Sequence, residues 1–157
     1  MSTIKITTRD FGEVEIDEST IINVPNGILG FEKFTKYTLL SPLGEDTFPM
    51  WLQCTEAPQP CFVVYDPMHI YPDYKFEITD EEQARLKIGS DVPYRVLTVA
   101  IVPDDYKKTT INLRCPLVIN TKDNIAAQVI LEDYDFKYPV YESRNDDDFD
   151  GQSDKGA

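Results

Sequence analysis

Residues 110–132, TINLRCPLVIN-TKDN-IAAQVILE, decide the fold. On the first arm the odd positions Ile111, Leu113, Cys115, Leu117 and Ile119 are apolar. On the second they are Ile125, Ala127, Val129 and Leu131. Period-two alternation on both sides of a short polar loop predicts a β-hairpin, with Asn120 to Asn124 as its loop. Pairing Ile119 with Ile125 sets odd against odd along the ladder and makes one face wholly core. The other face then gathers Asn112, Arg114, Asn120, Gln128 and Glu132, with Val118 and Ile130 among them. Pro116 has no N–H to donate, so it implies an edge or a bulge.

Outward from this hairpin, short strands dominate. Alternation at Ile4, Ile6 and at Val14, Ile16 predicts a first hairpin. Further strands are expected at 20–24, 37–41, 50–54, 61–65 and 95–102, the last as a central strand, and alternation continues through 133–141. Pro25-Asn26-Gly27 is a turn signal, and Gly30 between large apolar neighbours suggests a bulge or close backbone approach. A single helix, about 79–88, is marked by a capping box of Thr79 with Glu82, acidic residues in its first turn and Gly89 as its stop. Its anchors are Ile78, Leu86 and Ile88. Many short strands, one helix and no βαβ rhythm predict an all-β domain, a small, strongly curved barrel that hides most of its edges.

Residues 1–141 are read as this domain and 142–157 as an acidic, disordered tail with six acidic and two basic side chains. The whole chain of 157 residues carries 28 acidic against 15 basic side chains, a net charge of −13. That charge repels polyphosphate and anionic lipid, so neither nucleic acid nor membrane is an expected partner, and a basic protein is. Cys54, Cys61 and Cys115 lie in apolar runs without C-x-x-C spacing and read as reduced core thiols. With no apolar h-region in MSTIKITTRD, a cytoplasmic protein is expected.

No cofactor, metal or catalytic set is expected. His69 is the only histidine, Asp104-Asp105 reads as a turn, and no P-loop, G-x-S-x-G or H-E-x-x-H occurs. Asp146, Asp148, Asp150, Gly151 and Asp154 match five positions of an EF-hand loop, but Ala157 stands where the bidentate Glu is needed. A second class of function remains open: a small barrel enzyme or ligand carrier, with Tyr65, Tyr71, Tyr74 and Tyr94 lining an aromatic pocket.

Five blocks, in order, carry a resemblance: PNGILGFEKFTKYTLL (25–40), PMWLQC (49–54), CFVVYDP (61–67), NLRCPLVIN (112–120) and AAQVIL (126–131). Their order and spacing resemble the FliW flagellar assembly factors from about Ile4 to Tyr141; Cys115 and the segment after Tyr141 depart from that pattern. The resemblance implies a compact barrel-like β fold and a cytoplasmic protein that binds flagellin. It also implies antagonism of CsrA, the small RNA-binding translational regulator, with flagellin and CsrA exchanging on one protein. The residues nominated for partner binding are Tyr65, Asp66, Pro67, Asn112, Arg114, Gln128 and Ile130. Asn112, Arg114 and Gln128 are expected to matter for binding more than for folding, whereas the plain alternative is a solvated hairpin face.

Overall fold

A computed structural model describes residues 2–89 and 92–141; the acidic tail and its EF-hand-like run lie outside the described residues. The first half lays down β1 (Thr3–Thr7), β2 (Glu13–Asp17), β3 (Ile22–Asn23), β4 (Lys36–Leu40), β5 (Met50–Cys54) and β6 (Cys61–Tyr65). Two helices follow, α1 (Pro67–Ile70) and α2 (Asp80–Leu86). The second half adds β7 (Tyr94–Ile101), β8 (Thr110–Ile111), β9 (Leu117–Asn120), β10 (Ile125–Gln128) and β11 (Tyr138–Pro139).

Seven strands, in the order β7-β6-β5-β4-β3-β10-β9, close into a barrel when β9 pairs back onto β7. Closure removes the free edges that an open sheet of such apolar strands would expose. All of these neighbours are antiparallel except β3 and β10, which meet at Asn23 and Ile125. The strands β8 and β11 extend the sheet beyond β7. The expected all-β barrel is thus the observed fold, and α2 is its one helix of seven residues. The β1–β2 hairpin forms a separate two-stranded sheet. It is fastened by the Arg9 guanidinium, which donates to the Cys61 carbonyl at 2.7 Å, and by Phe11 edge-on to Trp51.

The barrel lumen is packed by Val24, Tyr37, Leu52, Val64, Leu97 and Leu117, each at most 1% exposed. Outside it, α2 sets Leu86 and Ile88 over Val118, Ala127 and Val129. A seven-residue helix is too short to hold on its own, so this burial fixes it. Its expected capping box is present: the Glu82 amide donates to Thr79 Oγ1 and the Thr79 amide to Glu82 Oε1. Its end differs from expectation. Lys87, at φ 60°, takes the left-handed position in place of Gly89, and the Ile88 amide donates back to the Gln83 carbonyl.

The decisive hairpin is present, one residue out of the expected register. Ile125 faces Asn120, Ala126 faces Ile119 and Ala127 faces Val118, so the loop is Thr121 to Asn124. Because side chains alternate, this slip sends the two odd sets to opposite faces. Leu117 and Ile119 fill the lumen, whereas Ala127 and Val129 lie under α2 with Val118. All four residues of β9 are buried, so there is no solvated polar face along it. The first arm is also not one strand. Asn112 Oδ1 accepts the amides of Arg114 and Cys115 in a side-chain turn that separates β8 from β9. Pro116 sits in that break, as its missing N–H requires, and its carbonyl accepts from Val129.

Two more readings change. The single helix expected is joined by the four-residue α1, which Asp66 caps and in which Pro67 occupies the first turn, where no N–H is needed. The 133–141 alternation yields only the two-residue β11.

Candidate functional site

The exposed apolar surface of interest is built where the β3–β4 loop meets the end of β10. Pro25-Asn26-Gly27 turns the chain, and Gly27 is obligatory there. Its φ is +68°, and a Cβ would stand 2.5 Å from the Glu32 Cα, which is backbone and cannot yield. Gly30, the glycine expected to allow close approach, has open space around it and serves only a positive φ of +90°. Ile28, 2% exposed, plugs into the lumen, and Phe31 packs edge-on against Phe62. Between these two fixed points Leu29 is turned outward and is 67% exposed.

Gln128 fixes Leu29 from the other side. Its Oε1 accepts the Leu29 amide at 2.8 Å, and its Nε2 donates to the Cys115 carbonyl at 3.2 Å. Glu32 adds a third tie by accepting the Gly30 amide, and that bond lowers the Glu32 pKa below the ordinary carboxylate range. Two residues past Gln128, Ile130 is 68% exposed. Leu29, Gln128 and Ile130 line one cleft of about 160 Å³, floored by Ala127 and Cys115 and flanked by Arg85 of α2. The result is a pair of unusually exposed aliphatic side chains on a tied-down ledge, with Arg85 and Glu32 beside them.

The seven nominated residues separate on the structure. Gln128 and Ile130 belong to this ledge. Asn112 makes the β8–β9 turn. Arg114 reaches away, donating to the carbonyls of Tyr134 and Glu132 and standing 5.9 Å from the Phe136 ring centre. Asp66 Oδ1 accepts the Met68 amide, with His69 Nε2 3.7 Å from its carboxylate, and Pro67 is buried. Tyr65 is a core residue, 7% exposed. Burial and its bond to the Tyr141 hydroxyl raise the Tyr65 pKa above the ordinary phenol range. The expectation that Asn112, Arg114 and Gln128 share a solvated face is therefore corrected: each holds backbone groups of its own chain. Leu29 and Arg85 were not nominated; Leu29 carries a weak signal as an apolar residue inside a glycine-bounded turn.

The four rings of the aromatic-pocket reading do not line one opening together; only Tyr74 and Tyr94 share a hollow. Tyr74 is 1% exposed, donates to the Leu113 carbonyl and lies 4.7 Å, centre to centre, from Tyr134. Tyr71 stacks on Tyr138 at 5.3 Å. Tyr65 and Tyr71 fill a second core with these rings, whereas one edge of Tyr74 and half-exposed Tyr94 border a shared hollow of about 510 Å³. Cys54, Cys61 and Cys115 are free and buried, and burial pushes the Cys61 thiol up to about 11. Among the described residues no group of three or more His, Cys, Asp or Glu side chains is placed to hold a metal, and no helix is long and apolar enough to cross a membrane.

Fold and surface together define a small closed β-barrel whose distinguishing feature is an apolar ledge on its outside. Within that class the chain belongs to the FliW family, whose family model, described as FliW protein, matches residues 5–141. It is 35% identical over 146 residues to the flagellar assembly factor FliW of Caldicellulosiruptor bescii, covering 91% of this chain and 94% of that protein. Over 127 residues it is 38% identical to the same factor of Alkaliphilus metalliredigens, covering 81% and 78%. A crystal structure of the flagellar assembly factor FliW superposes with a TM-score of 0.81 at 30% identity, over 90% of this chain and all of that one.

Proposed function

We propose that this chain is a cytoplasmic flagellar assembly factor that binds flagellin and, in exchange for it, antagonises a CsrA-type translational regulator. The observation that carries the reading is the family match across residues 5–141, which takes in every strand of the barrel. The ledge supports it physically. Leu29 and Ile130 offer two aliphatic anchors side by side, which suits the apolar stripe of an amphipathic helix from flagellin. The net charge of −13 suits a basic partner, because an RNA-binding regulator presents cationic surface. Acidic protein beside the regulator's RNA groove repels message even without covering it. Neither nucleic acid nor a membrane is a direct partner in this scheme.

The test is association kinetics with both partners from about 50 to 500 mM salt, a range over which the screening length falls from above 10 Å to a few ångströms. Regulator on-rates should fall steeply with salt, while flagellin affinity should change little. Deleting residues 145–157 should slow the regulator severalfold and spare flagellin. Equal salt slopes for the two partners would contradict the scheme.

A further inference from the structure

A second cleft lies on the other side of α2 from the ledge. Its floor is Phe76, Ile88 and Tyr94, and its rim carries Glu77, Asp80 and Gln83, enclosing about 520 Å³. It runs on past Phe76 and Tyr94 into a neighbouring hollow of about 510 Å³ bounded by Met68, Tyr74, Val96 and Lys75. Tyr94 and Met68 are 49% and 47% exposed, so large apolar groups are offered to solvent. Asp80 stands at the α2 end, Glu77 borders both hollows, and the single lysine lines the second hollow with Met68. None of these side chains is engaged in a salt bridge among the described residues.

The helix geometry separates this cleft from the ledge. At roughly 100° per residue, Asp80 and Gln83 share one side of α2, and Arg85 points to the opposite side. Arg85 lines the ledge cleft; Asp80 and Gln83 line this one. The charges differ accordingly: one cation and one carboxylate, Arg85 and Glu32, line the ledge cleft, whereas two carboxylates and no cation line this one.

We propose that the Phe76–Tyr94 cleft is a docking site for a basic polypeptide segment carrying an apolar side chain. The apolar group seats on Phe76 and Tyr94, and its cationic neighbours face Glu77 and Asp80. Charge complementarity selects this occupant, since a chain of net charge −13 repels acidic segments and the rim at the α2 end is anionic. The inference rests on the preceding reading only for the natural partner, the basic regulator, which this cleft would seat while the ledge seats flagellin. Because the two clefts lie on opposite sides of one helix, which is about 10 to 12 Å across with its side chains, two folded proteins seated in them would overlap, which accounts for exchange without a shared footprint.

The experiment uses the full chain, labelled with ¹⁵N and titrated with a short peptide alternating Lys and Leu, and with its Glu-for-Lys counterpart. Amide shifts should cluster at Phe76 to Asp80, Ile88 and Tyr94 with the lysine peptide and be absent with the glutamate one. The double substitution Glu77→Lys/Asp80→Asn should weaken the peptide about tenfold, the sum of a few exposed charge pairs lost or reversed, with the thermal midpoint little changed. The same variant should weaken the intact regulator, and Ile130→Asp should not. Shifts scattered over the surface or centred on Leu29 and Ile130 would overturn the assignment, as would unchanged peptide affinity in the double variant. A peptide that maps to the cleft while the regulator fails to bind would uphold the site and remove the regulator as its partner.

Discussion

Replacing Gln128 with Ala tests whether the ledge is held as described. The substitution deletes the acceptor for the Leu29 amide and the donor to the Cys115 carbonyl. The first bond is exposed and belongs at the low end of the net range, about 0.5 kcal/mol; the second is half-buried and adds about 1 kcal/mol. Unfolding entropy of ~2.1 cal/mol/K per residue gives ~0.3 kcal/mol/K for a domain of this size, so ~1.5 kcal/mol lowers Tm by ~5 °C. The barrel core is untouched, so unfolding should stay a single transition. Locally the effect should be larger, because the Leu29 amide loses its only side-chain acceptor and should exchange faster with solvent. Calorimetry supplies the first quantity and amide hydrogen exchange the second. A midpoint within a degree of wild type, with Leu29 as protected as before, would refute the latch.

Three further outcomes follow from buried groups. Asn120, fully buried, donates to the Leu86 carbonyl at the end of α2 and accepts the amides of Lys122 and Asp123; Asn120→Ala should cost about 3 kcal/mol, roughly 10 °C by thermal melting. A loss under 1 kcal/mol would show that water replaces the side chain without penalty. Tyr37→Phe should raise stability by about 1 kcal/mol in denaturant titration, since the Tyr37 hydroxyl is buried without a hydrogen-bond partner among the described residues; a marked loss would reveal a partner. With Cys54, Cys61 and Cys115 all buried and the Cys61 thiol pushed up to about 11, a thiol reagent at neutral pH should label the native protein only at its unfolding rate, and rapid labelling would contradict that burial.

The parts of the fold legible in the sequence are those whose information is local. Alternation placed β1 and β2, and β5 and β6 fall on the expected residues because each keeps a β-prone run between turn residues. The capping box located α2, since both of its partners lie within one turn. The hairpin register was lost for a specific reason. β9 is covered on one face by the lumen and on the other by α2, so Val118 and Asn120 are as buried as Leu117 and Ile119 and the alternation carries no face assignment.

The same limit governs the site. A polar side chain looks alike in sequence whether it faces water or a backbone carbonyl, so Asn112, Arg114 and Gln128 could be nominated together although each serves a different turn or segment. The Leu29 backbone is tied down by Gln128, which is 99 residues away in the chain. Nothing in either local stretch specifies that meeting. Ile130 was nominated for partner binding and is exposed, but its aliphatic neighbour on the ledge is visible only in three dimensions.

The central claim is that the ledge of Leu29 and Ile130 seats flagellin, and calorimetric titration of the full chain with monomeric flagellin tests it most directly. Wild type should form a saturable one-to-one complex with a negative heat-capacity change, the mark of buried apolar surface. Leu29→Asp/Ile130→Asp should abolish that complex and leave the melting temperature within ~2 °C of wild type, because both side chains are about two-thirds exposed. Absence of a wild-type complex, or equal affinity in the double variant, would contradict the account.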